Sequence, residues 1–292
     1  MAPQPFTPPD EPQQPPTGRY AVRFAQLAER GEKAFIPFTL LGWPNREMSR
    51  TMIEAMIDSG ATALELGIAF SDPVADGPLI QQAAAETLAT GFRVKDAMAL
   101  LKEIRLRAPE LPIGLLVYYN LVLRQEPEAF FQQLATVGVD GVLIPDLPPE
   151  AAGEIFPIAR RHGIELIFII SPLTSPARLA LIQQYAGGFL YIVSRLGITG
   201  VEERYDETLS TLLQRIRQQS PLPMCVGFGI SQPDHARKMF QLGADGVIVG
   251  SKILQLAQQT AQTQGAEAVL PALNGYLAEM MACCTRTDPQ PV

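Results

Sequence analysis

Residues 61–70 read ATALELGIAF, a largely apolar run of strand length with a single charge, the carboxylate of Glu65. Strands buried on one face alternate apolar and polar residues. Near-continuous apolar runs are the mark of parallel strands covered on both faces. Seven more runs of this kind flank it: AFIPFTLLG (34–42), LPIGLLVYYN (111–120), VDGVLIPD (139–146), IELIFIIS (164–171), GFLYIVSR (188–195), LPMCVGFGI (222–230) and ADGVIVGS (244–251). Segments of helical period lie between them, among them NREMSRTMIEAMIDSG (45–60) and PEAFFQQLATVG (127–138). Strands alternating with helices in this number predict an α/β chain folded as a closed (β/α)8 TIM barrel with a parallel eight-stranded barrel, in preference to an open doubly wound sheet.

The ends differ from this body. Residues 1–18, MAPQPFTPPDEPQQPPTG, are dominated by proline and glutamine and are expected to form a disordered or polyproline extension. The barrel is expected over 19–284, with a loose tail at 285–292. Hydrophobic residues make up 47% of the 292 and charged residues 18%, enough apolar surface for a large core. The net charge of −7 argues against nucleic acid or an anionic membrane as the main partner. Cys225, Cys283 and Cys284 are too few and too irregular for a disulfide framework and indicate a reducing compartment. Neither a secretory signal nor a membrane span is evident, so a cytoplasmic protein is expected.

In this architecture chemistry sits at the C-terminal ends of the strands and in the loops that follow. Glu65 lies within a strand between Leu64 and Leu66. If those leucines face the helix layer, Glu65 points into the barrel, where desolvation raises its pKa and suits it to proton transfer near neutrality; the other reading is a buried glutamate satisfied by a neighbouring strand. The loop after it, FSDPVADGPLI (70–80), holds Asp72 and Asp76. Asp76 either caps a helix starting near Pro78 or is a second active-site carboxylate facing Glu65. Glycine clusters follow the last three strands: RLGITG (195–200), GFGIS (227–231) and VGS (249–251). Backbone N–H groups near Gly200, Gly229, Gly250 and Ser251 would there bind a phosphate without a basic patch. His162 and His235 fall in helical segments and no residue set has metal-ligand spacing. No lysine lies inside a strand, which argues against an imine mechanism. Tyr191 and Phe38 sit on strands converging on one mouth and suit a planar aromatic substrate body.

These residues also carry a resemblance. ALELGIAFSDPVADGPLIQQA (63–83) resembles the signature of the tryptophan synthase α subunit family, and FIPF (35–38), IGLLVYYN (113–120), GVLIPDLPPE (141–150), SRLGITG (194–200), VGFGIS (226–231) and GADGVIVGS (243–251) match in the same order over roughly residues 20–280. The resemblance implies a lyase that cleaves indole-3-glycerol phosphate to indole and glyceraldehyde 3-phosphate. Glu65 would shuttle protons, and Asp76 would bind the indole N–H. Phe38, Leu116, Tyr191 and Phe228 would line the indole site, and Gly200, Gly229, Gly250 and Ser251 would hold the phosphate. Thr199 would help close the site. No cofactor on this chain is implied, and the implied partner is a tryptophan synthase β subunit, in an α2β2 heterotetramer, that carries pyridoxal phosphate.

Four positions depart from the family pattern. Leu40 stands where threonine is usual, Trp43 where aspartate is usual, Ala69 where proline is common, and Leu196 where a small polar residue is common. All fall near the expected mouth or the partner-facing loops, which leaves a non-catalytic or weakly active relative as the alternative function. Trp43 packs on substrate, on a partner, or on an adjacent helix.

Overall fold

A computed structural model describes residues 18–193, 202–227 and 229–285, the side chains of 202–207 excepted. Eight parallel strands close into a barrel in chain order: β1 (Ala34–Leu40), β2 (Leu64–Gly67), β3 (Ile113–Leu116), β4 (Gly141–Leu143), β5 (Glu165–Ile170), β6 (Ala186–Val193), β7 (Met224–Gly227) and β8 (Gly246–Val249), which pairs back onto β1. The paired segments are shorter than the apolar runs. Of 61–70 only Leu64–Gly67 joins the ladder, and of 139–146 only Gly141–Leu143. The remaining residues stay largely buried but turn into the connecting loops, and at the end of β4 Pro145 has no N–H to continue the ladder.

Helix α1 (Arg19–Arg30) precedes the barrel. Around it run α2 (Arg46–Asp58), α3 (Pro78–Ala89), α4 (Val94–Arg107), α5 (Tyr119–Arg124), α6 (Pro127–Thr136), α7 (Phe156–Arg161), α8 (Pro176–Tyr185), α9 (Glu202–Arg217), α10 (Pro233–Gln241), α11 (Ser251–Gln264) and α12 (Val269–Thr285). Their starts are written locally. The Asn45 side chain accepts from the Met48 N–H at 3.0 Å, and Ser175 Oγ from the Arg178 N–H at 3.2 Å. Proline opens α3, α6, α8 and α10, where its missing N–H costs nothing. Among the described residues no helix is long and apolar enough to cross a membrane.

The core has two parts. Leu64, Leu66, Leu115 and Val247 join the layer between strands and helices. Ala34, Ile36, Ala63, Ile167, Phe189 and Ile248 fill the barrel interior together with Tyr20, Phe24 and Leu27 of α1. Thus α1 is a plug across the N-terminal end of the barrel, and nothing in the reading of residues 19–30 anticipates it. Tyr20 meets Phe189 edge-on at 5.6 Å between ring centroids. Room for it comes from bare backbone: a Cβ on Gly114 would lie 2.6 Å from the Tyr20 hydroxyl. The plug is tied down by Asp140, which accepts from Arg19 at 2.8 Å, Arg105 at 2.7 Å and the Ile113 N–H at 2.8 Å.

Residues 1–17 and 286–292, most of the expected extension and tail, lie outside the described residues. Gly18 is the N-cap of α1 and Thr285 the last residue of α12.

Candidate active site

Glu65 is set by the register of β2. Its neighbours are Phe38 on β1 and Gly114 on β3, a ring and a bare backbone, with Leu64 and Leu66 turned into the helix layer. The carboxyl is buried, and among the described residues its Oε1 has no hydrogen-bond partner. Burial first, and the charge of Asp76 second, push its pKa up to about 8. Among the described residues, no neighbouring strand supplies a hydrogen bond to that oxygen.

Asp76 ends the loop after β2. The N-cap of α3 is Gly77, with no side-chain cap bond, so Asp76 does not cap that helix. Its Oδ2 instead accepts from the Tyr118 hydroxyl at 2.9 Å, and that hydroxyl accepts from the Ala75 N–H at 3.1 Å. Tyr118 is buried just after β3 and stacks on Phe70 at 5.1 Å. Gln81, reaching back from α3, donates to the Asp76 carbonyl at 2.9 Å. Burial raises the Asp76 pKa, and the Tyr118 hydrogen bond opposes the rise. Neither Tyr118 nor Gln81 was singled out from sequence; a tyrosine closing the apolar run IGLLVYYN was the available signal.

Both carboxylates open onto one cleft of about 630 Å³, its mouth included, at the C-terminal end of the barrel. Phe38, Leu116 and Tyr191 line it, as do Gly229, Gly250 and Ser251. Further apolar wall comes from Ile80, Pro145, Ile169 and Ile230, which were also missed. Phe38 is held close to backbone, since a Cβ on Gly250 would lie 2.7 Å from its ring. Tyr191 is packed the same way over Gly227, where a Cβ would collide with its hydroxyl. Gly250 is the N-cap of α11 and Ser251 its first residue, so the unpaired amides and positive dipole end of a long helix face the cleft. Gly229 takes a left-handed φ of +80° in the turn after β7. The remaining expected site residues, Thr199, Gly200 and Phe228, lie outside the described residues. Asp72 stays in the exposed part of the loop, bonded to Ser71.

The departures are absorbed by packing. Trp43 is buried, and its indole N–H donates to Glu86 on α3 at 2.8 Å; Gln82 holds the other Glu86 oxygen at 2.8 Å. Of the three packing options, the adjacent helix is the one realised. Leu40 is buried against Gly67, where a Cβ would lie 2.6 Å from its Cδ2, and Ala69 is also buried. Leu196 lies outside the described residues.

With this geometry, residues 24–282 match the sequence model of the tryptophan synthase alpha chain. The chain belongs to that family. It is accordingly a lyase of tryptophan biosynthesis. The tryptophan synthase alpha chain of Serratia proteamaculans is 43% identical over 264 residues, 90% of this chain and 98% of that relative. That of Methanothermobacter thermautotrophicus is 40% identical over 82% of this chain and 89% of its own length. Among solved structures, tryptophan synthase subunit alpha from Legionella pneumophila superposes with a TM-score of 0.84 at 32% identity, covering 92% of this chain and 98% of the other. The tryptophan synthase complex from Pyrococcus furiosus gives 0.76 at 33% identity, over 86% and 98%.

Proposed function

We propose that the cleft binds indole-3-glycerol phosphate and that Glu65 and Asp76 cleave its C3–C3′ bond. The observation carrying this reading is the pair itself: a buried Glu65 whose Oε1 has no partner among the described residues, beside an Asp76 whose other oxygen is free of Tyr118. The indole body lies against Phe38, Leu116 and Tyr191, with Phe228 completing the wall. The phosphate lies at Gly229, Gly250 and Ser251, with Gly200, and Thr199 closes over it.

The chemistry follows from the two environments. With a pKa near 8, Glu65 holds a proton at neutral pH and gives it to indole C3. Asp76 accepts the N1–H and stabilises the cation of the resulting indolenine. The Glu65 carboxylate then takes the C3′ hydroxyl proton. The carbonyl forms, the C3–C3′ electron pair restores the indole ring, and glyceraldehyde 3-phosphate leaves. Glu65 ends as it began, and the scheme asks for no cofactor on this chain.

The partner in this reading is a tryptophan synthase β subunit, in an α2β2 heterotetramer, that takes up the indole. Val74 after β2 is 79% exposed and Leu173 after β5 is 76% exposed, which puts apolar side chains on the rim where such a partner would dock. The non-catalytic alternative is disfavoured because Leu40 and Trp43 are spent on packing while both carboxylates still face the cleft.

The test is indole release from indole-3-glycerol phosphate by the purified chain, with and without the cognate β subunit. Release that Glu65→Gln abolishes, with phosphate-ligand binding retained, is expected. Turnover retained in Glu65→Gln would sink the proton-shuttle role. Release unaffected by the β subunit would mark a free-standing lyase, and no release by the folded chain would leave the non-catalytic alternative.

A further inference from the structure

His235 belongs to α10, yet its ring turns back over the loop that precedes the helix. Its Nδ1 lies 3.2 Å from the Gly229 carbonyl oxygen, 3.3 Å from Ser231 Oγ and 3.4 Å from the Ser231 N–H. The N-cap of α10, Gln232, makes no side-chain cap bond. In a capping box the third helical residue reaches back to the N-cap N–H. His235 is that third residue, and it reaches one position further, to the amide before the cap. With Nδ1 unprotonated it accepts from Ser231; with Nδ1 protonated it donates to Gly229. Either tautomer ties the turn to the helix.

The turn needs an external tie. Gly229 sits at φ +80° and has no side chain of its own to anchor it. Ile230 anchors the turn by packing into the cleft wall, and His235 contacts it from α10. Amides hold an anion only while they converge on it, and a turn that must be ordered on binding loses affinity. We propose that His235 is a positioning residue that fixes the Gly229–Ser231 turn and so sets how tightly the cleft holds the phosphate ester of its substrate. The proposal rests on the reading of that turn as part of the phosphate site. His235 touches no reacting atom and leaves the Glu65 and Asp76 chemistry alone.

The test uses the full chain and three probes: glycerol 3-phosphate, indole, and turnover of indole-3-glycerol phosphate. In His235→Ala the Kd for glycerol 3-phosphate and the KM are expected to rise about tenfold, as for loss of one net hydrogen bond to the binding turn, with kcat held within about twofold. Indole affinity and melting temperature should stay at the native values. His235→Asn, which keeps a polar atom at the place of Nδ1, should recover most of the loss. The proposal is overturned if His235→Ala keeps native KM and phosphate-ester affinity, if indole affinity and kcat fall along with them, or if His235→Asn is as impaired as His235→Ala. An unaltered chain that binds no glycerol 3-phosphate overturns the phosphate reading of the turn, and this proposal with it.

Discussion

Replacing Glu65 by glutamine should make the protein more stable, and increasingly so as pH rises. The folded carboxyl has a pKa of about 8, against 4.5 for an ordinary glutamate, because burial penalises its charged form. In the unfolded chain the group ionises above 4.5 and releases its proton; in the folded chain it keeps the proton until about 8. Between those limits the folded state binds more protons, so stability falls as pH rises. The contribution of the neutral carboxyl is whole below pH 4.5 and lost by pH 8, an interval worth roughly 5 kcal/mol at 1.36 kcal/mol per unit. At pH 7 the loss is already about 3 kcal/mol. Glutamine does not titrate, so urea unfolding of both proteins at pH 5, 6, 7 and 8 isolates the effect. The curves should nearly coincide near pH 5 and separate steadily to pH 8, with Glu65→Gln above. The difference between proteins is the right quantity, because Asp76 and Glu165 also have raised pKa values that tilt both curves. Parallel curves, separated by a constant amount across the window, would refute the claim that Glu65 is held neutral by its surroundings.

Tyr118→Phe removes the only hydroxyl bonded to Asp76 among the described residues and leaves the Ala75 N–H without its acceptor; a stability loss of about 1–2 kcal/mol is expected. Because that hydrogen bond lowers the Asp76 pKa, the acid limb of the kcat/KM profile should move to higher pH, and an unmoved limb would separate Asp76 from catalysis. Asp140→Ala takes the carboxylate from the largely buried Arg105 and the acceptor from the buried Ile113 N–H at the opposite end of the barrel, and should cost about 3–5 kcal/mol in urea unfolding, while indole release per folded molecule stays native. Trp43 is the sole tryptophan, buried and bonded to Glu86, so its emission should not move when glycerol 3-phosphate is added; a shift would place it nearer the ligand than its packing on α3 allows.

The barrel was legible because its strands are buried on both faces, and that condition writes itself as apolar runs needing no knowledge of partners. Glu65 was legible for the same reason, as a charge in the middle of such a run. The role of Asp76 was only half legible. A carboxylate before Gly-Pro reads equally as a cap or as a site group, and what separates the two is a phenol 42 residues away. Tyr118 itself was hidden in an apolar run that accounts for an aromatic residue without invoking its hydroxyl. Helix α1 was missed because Tyr20, Phe24 and Leu27 are spaced among charged residues next to a proline-rich stretch, and their shared face matters only once a barrel end exists for them to fill. Trp43 showed itself as anomalous but not as packed, since the glutamate that bonds it lies on the next helix but one position of many.

The two ends of the barrel are linked by the reason Glu65 Oε1 stays unpaired among the described residues. A buried carboxyl normally draws a hydrogen-bond partner, and a protein unable to supply one bears the cost in stability. On β1 the residue beside Glu65 is Phe38, which has nothing to donate; on β3 it is Gly114, from which a serine or threonine would be the obvious partner. That side chain has no room to grow, because the Tyr20 hydroxyl of the α1 plug would lie 2.6 Å from its Cβ. The plug that buries Tyr20, Phe24 and Leu27, at about 1.5–3 kcal/mol for each such side chain, thus also keeps position 114 bare. Stability gained at the N-terminal end offsets an orphaned carboxyl near the C-terminal end, and the same tyrosine helps keep it orphaned. A chain with α1 loosened should accordingly accept a donor at position 114, at the expense of the raised pKa on which proton transfer by Glu65 depends.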